Sequence, residues 1–165
     1  MTIDSLKRLF LFILFVLAQA LVFNRILLFG CAMPFVYVYF IVMLPYNHPK
    51  WSILLWSFLL GLFIDMFANT PGVACASLTL IGALQPYLLE LFLPRDAEED
   101  TVPSAKTLGW GNFTSFTIIL TFIYCTTFFS IEAFTFYHWN HWLQCVCGST
   151  ILSVLLISTL ENVRK

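Results

Sequence analysis

From Trp51 to Ala68 the chain reads WSILLWSFLLGLFIDMFA, one charged residue in eighteen, and apolar runs of this kind recur along its whole length. An α-helix rises 1.5 Å per residue, so about 20 such residues match the ~30 Å hydrocarbon core of a bilayer. Hydrophobic residues make up 60 % of the 165, and only 10 % are charged. A soluble domain of this size has too little interior to hide that much apolar surface. The solvent is therefore lipid, and one integral membrane domain, all-α and polytopic, is expected. The net charge of −1 offers no basic face for nucleic acid.

Apolar runs and their breakers divide the chain into six expected helices, about 6–23, 34–46, 51–68, 72–93, 113–137 and 142–160. The first follows a basic start, and LKRLFLFILFVLAQA imitates a cleavable signal peptide ending in A-x-A at Ala20. Its apolar run continues to Phe29, so we read an uncleaved membrane helix. The second is short for a span; it either begins inside NRILLFGCAMP or does not cross alone. Pro45 and Pro49 break the chain in LPYNHPK, and Asn69–Gly72 forms a tight turn in ANTPG. PRDAEEDTVPSAK is the solvated segment, its acidic run a loop or a contact for a cytoplasmic partner. Pro86, after Gln85, is expected to bend the fourth helix.

With the N-terminus in the cytoplasm, Lys7, Arg8, Lys50, Arg95, Lys106, Arg164 and Lys165 all fall inside, and Arg25 alone outside. That split favours six crossings with both termini cytoplasmic. Trp51 and Trp110 then mark the inner interface, and Tyr137, Trp139 and Trp142 the outer one.

Asp65 is the exceptional residue, a carboxylate ~20 Å along an apolar helix. Such a charge costs ~2.5–3.5 kcal/mol at the bilayer centre and less near the surface, so it calls for a partner. The outer ends of helices 1 and 5 supply Arg25 and Glu132, which suggests an Arg25–Asp65 contact or a cluster of Arg25, Asp65 and Glu132. Ser57, Gly61, Asp65 and Asn69 form a small and polar stripe at helical spacing. Gly72, Ala76, Thr79, Ala83, Pro86 and Glu90 offer a matching stripe on helix 4, the latter within reach of Arg95. Small residues four apart let backbones approach closely in lipid, so a tight hairpin of helices 3 and 4 is expected. Ser57, Gly61, Asp65, Gly72 and Ala76 are accordingly the candidates for helix packing or partner binding.

Other residues invite sharper readings. His138, His141, Cys145 and Cys147 are metal-ligand types, yet their spacing fits no defined zinc motif, and YHWNHW reads as an aromatic belt. The five cysteines, Cys31, Cys75, Cys125, Cys145 and Cys147, read as small apolar residues, with a disulfide open to any that face an oxidising compartment. No G-x-S-x-G, H-E-x-x-H, paired-carboxylate or nucleotide-binding glycine motif occurs, so neither an enzyme nor a cofactor is expected.

The stretch GLFIDMFANTPGVACASLTL resembles the rod shape-determining MreD family, in which a helix ending in Gly-x-x-x-Asp precedes a short turn and a Gly that opens the next helix. The matching positions are Gly61, Asp65 and Gly72; LPYNHPKW, PRD, the basic start and the short positive C-terminus add to the resemblance. It implies a six-transmembrane-helix bundle similar to the substrate-binding subunits of energy-coupling-factor transporters. It also implies a non-enzymatic scaffold in the bacterial inner membrane, acting in cell shape and side-wall peptidoglycan synthesis. The implied partners are the transmembrane helix of MreC and, through it, RodA, a penicillin-binding transpeptidase and MreB, with membrane lipids in grooves between helices. The alternative is a small-molecule-capturing subunit of a membrane transporter, with an outer pocket lined by Asp65, Arg25, Glu132 and the Asn69–Gly72 turn.

Overall fold

The computed structural model describes residues 3–21, 32–45, 49–70, 72–93, 102–133 and 139–164, with side chains from Arg8 onward. Among these the chain forms six helices: α1 (Ile3–Leu21), α2 (Val38–Val42), α3 (Lys50–Ala68), α4 (Val73–Phe92), α5 (Trp110–Ala133) and α6 (Trp139–Arg164). By length and composition, α3, α4, α5 and α6 can each cross a membrane. The α3–α4, α4–α5 and α5–α6 pairs pack along the bundle, α1 lies against α3, and α2 sits between α1, α4 and α5.

Unlike a soluble protein, the bundle exposes large apolar side chains as well as burying them, and several polar side chains sit within its otherwise apolar core. Leu55, Ile118, Phe122, Ile151 and Leu155 are exposed, whereas Ser57, Ser77, Gln85, Thr117, Thr121, Ser149, Ser153 and Glu161 are buried. Lipid tails are as apolar as leucine, so outward leucines cost nothing and packing, with interior polar contacts, holds the helices together. The chain is a multi-pass helical membrane protein. Helices 3 and 4 fall where the apolar runs and the ANTPG turn put them. α4 runs through Pro86 without ending. Helices 5 and 6 differ at their ends: α5 starts at Trp110, and α6 extends from Trp139 to Arg164.

The expected crossing by the second helix is corrected. The first expected helix, about 6–23, is described as far as Leu21 and is helical throughout that part. The expected helix 34–46 is reduced to the five residues of α2. Pro34 has no N–H to give a helix and pushes Met33 toward extended backbone. Aromatic and β-branched residues fill PFVYVYFIV, and they suit extended chain as well as helix. The whole stretch from Pro34 to Val42 is buried.

Non-helical backbone is tolerated at membrane depth only where protein satisfies its polar groups. Four helices supply side chains for that purpose. The Met33 N–H donates to Ser149 Oγ at 3.0 Å and the Phe35 N–H to Ser153 Oγ at 2.9 Å, both on α6. Gln19 of α1 donates through Nε2 to the Pro34 carbonyl at 3.0 Å, and Gln85 of α4 donates to the Leu44 carbonyl at 3.2 Å. The Tyr37 and Tyr124 hydroxyls meet, and the Tyr39 hydroxyl donates to the Glu161 carboxylate. The two amide–serine bonds match in period: two extended residues rise ~6.6 Å and four helical residues ~6 Å. Alternate residues of the segment can thus pair with successive turns of α6.

Around these bonds the core is aromatic. Phe12 packs edge-on against Phe40, Trp56 and Phe63, and Phe35 against Tyr37, Tyr124 and Phe129. Replacing Ser153 by alanine strands the buried Phe35 amide and is expected to cost about 1–3 kcal/mol in a detergent unfolding titration. A variant as stable as the parent would show that this bond does not hold the segment.

Candidate functional site

Asp65 lies on the last turn of α3 and is 8 % exposed. The C-terminal end of its own helix carries partial negative charge, so it is a poor place for a carboxylate. The solution is the neighbouring helix. α4 opens at Gly72 with φ +84°, and this N-cap residue makes no side-chain cap bond. A helix start leaves its first amides without intrahelical partners. Asp65 takes two of them: the Ala74 N–H donates to Oδ1 and the Cys75 N–H to Oδ2, each at 2.9 Å. The Thr70 hydroxyl adds a third bond, to Oδ1 at 2.9 Å. Charge-assisted bonds to helix-start amides are among the stronger ones available to a carboxylate.

The backbone of the same residue finishes α3. The Asp65 carbonyl accepts the N–H of Asn69, which stands in the left-handed region at φ 57°, and that of Thr70 at 3.3 Å. One residue thus terminates one helix through its carbonyl and starts the next through its side chain.

Close approach of the two helices makes that reach attainable. A Cβ built on Gly61 would lie 2.4 Å from the Cys75 Cα and 2.8 Å from its nitrogen. One built on Gly82 would lie 2.2 Å from Ser57 Oγ. The seam therefore pairs Gly61 with Cys75 and Ser57 with Gly82. Ser57 is buried and returns its hydroxyl to the Ile53 carbonyl at 2.8 Å. Beside the cap, a cleft of about 420 Å³ opens on the surface, lined by Leu62, Asp65, Met66, Asn69, Gly72 and Cys75.

The expected positions fare differently. Ser57, Gly61 and Asp65 meet α4, and Gly72 forms the turn, but Ala76 is exposed. Ala83 and Glu90 of the expected stripe are exposed too, Thr79 is half-buried, and Pro86 is buried. The α4 face is rotated toward Ala74, Cys75 and Gly82 because the cap fixes the phase of the first turn. Arg25 lies outside the described residues, so the Arg25–Asp65 pairing does too. Among the described residues the bonds to Asp65 come from two amides and a hydroxyl. Glu132, exposed on the last turn of α5, is not among these partners.

Of the candidate metal residues, His141 Nδ1 and Cys145 Sγ approach to 3.5 Å, Cys147 is exposed, and His138 lies outside the described residues. Among the described residues no group of three or more potential ligands converges. Cys75, Cys125 and Cys147 are free thiols; Cys31, Arg95 and the acidic run Asp96–Asp100 lie outside the described residues.

Sequence reading missed Glu161. This α6 residue is 5 % exposed and receives the Tyr39 hydroxyl and, at 2.9 Å, the Ala105 N–H. It ties the buried segment and the 102–108 loop to one helix end. Its one visible signal was the i, i+3 pair with Arg164, at 3.8 Å.

Fold and site together define a polytopic helical membrane protein built on a carboxylate-capped hairpin. Compared with known proteins, the chain matches no family model, no curated protein and no solved structure.

Proposed function

We propose that this chain is a non-enzymatic membrane scaffold of the MreD type, which binds the transmembrane helix of MreC in the bacterial inner membrane. Through MreC it would serve RodA, a penicillin-binding transpeptidase and MreB in side-wall synthesis. The observation that carries the reading is the use made of Asp65. Both carboxylate oxygens are engaged in helix capping, which suits an architectural charge better than a proton carrier or nucleophile. The motif behind the family resemblance, Gly61, Asp65 and Gly72, coincides with the parts of this hairpin that need those residue types: close approach, cap and left-handed turn.

The cleft beside the cap is the surface we assign to the partner helix. Met66 is 71 % exposed at its rim, and Leu62 lines it as well. Interfaces between helices in lipid depend on such surface complementarity. Replacing Leu62 and Met66 together by alanine is expected to lower MreC recovery in co-purification roughly tenfold, with unfolding unchanged. That factor corresponds to about 1.4 kcal/mol of lost packing. Undiminished MreC recovery would contradict this surface, and a tightly retained small molecule in its place would favour the transporter-subunit reading.

A further inference from the structure

Pro86 stands inside α4 and is buried there. It has no N–H, so the carbonyl of Gly82, four residues earlier and also buried, loses its helical donor. In lipid such freed carbonyls are taken up by neighbouring helices, by hydroxyl side chains or by ordered water. The adjacent Gln85 is fully buried and adds a second acceptor. Its Nε2 donates to the Leu44 carbonyl, while its Oε1 has no hydrogen-bond partner among the described residues.

The helix packed against this break carries hydroxyls in the complementary state. Thr117 and Thr121 of α5 are buried, and neither hydroxyl has a partner among the described residues. Ser57, Ser77, Thr79, Thr127 and Thr150 behave otherwise, each returning its hydroxyl to the carbonyl four residues back at 2.7–2.8 Å. Thr126, also unpartnered, lies on another face of α5. Thr117 and Thr121 share their face with Tyr124, whose hydroxyl meets Tyr37 of the buried segment, so this face looks inward. The Phe92 and Phe116 rings, 6.1 Å apart, set the level of α4 against α5, which run in opposite directions as consecutive spans. At 1.5 Å per residue, Gln85 lies about 10 Å beyond that contact and Thr121 about 7.5 Å, so they stand at nearly one depth. Two acceptors and a hydroxyl at this depth, with Gln85 Oε1 and Thr121 Oγ1 bonded to nothing, suit a molecule that donates twice and accepts once. Water does so, and a buried water makes about three such bonds.

We propose that α4 binds an ordered water at its Pro86 break, where the water donates to the Gly82 carbonyl and Gln85 Oε1 and accepts from the Thr121 hydroxyl. Thr117, one turn along α5, continues the same polar line. The site stands apart from the α3–α4 cleft and does not rest on the scaffold reading.

The test is a double-mutant cycle on the full chain, read as unfolding in mixed detergent micelles. Thr121→Val keeps the shape and removes the hydroxyl. It should raise the unfolding equilibrium constant about tenfold, because two buried acceptors then depend on a water with one bond fewer. In a Pro86→Ala background the restored N–H satisfies Gly82 directly, and the same change should cost no more than about threefold. Thr127→Val removes a back-bonded hydroxyl and should cost the same in both backgrounds. A Thr121→Val chain as stable as the parent, or more stable, would show that the hydroxyl holds no water and overturn the proposal. An equal cost of Thr121→Val in both backgrounds would overturn it too, by separating the hydroxyl from the Pro86 break. A midpoint that rises when sodium replaces choline at fixed ionic strength would assign these oxygens to a cation instead. Direct sight completes the test: a map that resolves water should place one within about 3.2 Å of all three oxygens, and a direct Thr121–Gln85 bond there would contradict the site.

Discussion

Replacing Asp65 by alanine is expected to destabilise the bundle by about 3 kcal/mol, read as the midpoint of unfolding in mixed detergent micelles. Two effects oppose each other. Removing the carboxylate relieves a burial cost of up to ~3 kcal/mol, less toward the membrane surface. Against that stand three hydrogen bonds to a charged group, each worth roughly 1.5–3 kcal/mol, two of them made by amides at a helix start. The bonds win. Asp65→Asn keeps one acceptor oxygen, so it should recover about half of the loss, on the same scale. A variant as stable as the parent in both cases would show that the charge serves something other than the hairpin.

Gly61→Ala should be at least as damaging, at about 3 kcal/mol or more, though it adds one methyl group. The obstacle at 2.4 Å is the Cys75 backbone, which has no rotamer to change. Overpacked cores cost typically 1–3 kcal/mol even where side chains can shift. Here the helices themselves must separate by about 1 Å to restore ordinary contact distances, and the 2.9 Å bonds from Ala74 and Cys75 to Asp65 would stretch with them. The losses at Gly61 and Asp65 should therefore be less than additive, because either change breaks the same cap. Strictly additive losses would mean that close approach and capping are independent.

The parts of this fold legible in sequence are those with a local cause. Apolar length marks α3 and α4, and Asn69 and Gly72 mark the left-handed turn between them. Ser57, Gly61 and Asp65 show their common face through four-residue spacing alone. The facing residues of α4 were not legible, because many small residues line that helix and only the cap, a tertiary bond, selects Cys75 over Ala76. The segment after Pro34 misleads for a related reason: apolar residues between two prolines look alike whether coiled or extended. What distinguishes them is the set of partners Gln19, Gln85, Ser149 and Ser153, scattered over three helices and unremarkable singly. Glu161 was hidden because a charge near a basic chain end reads as solvated.

The most direct probe of the capping role is hydrogen exchange at the Ala74 and Cys75 amides, measured residue by residue in the parent and in Asp65→Ala. If the carboxylate holds the first turn of α4, both amides are strongly protected in the parent and lose that protection in the variant, while the middle of α4 around Ile81 keeps its own. Equal protection of Ala74 and Cys75 with and without the carboxylate would contradict the assignment of Asp65 as the cap of the hairpin.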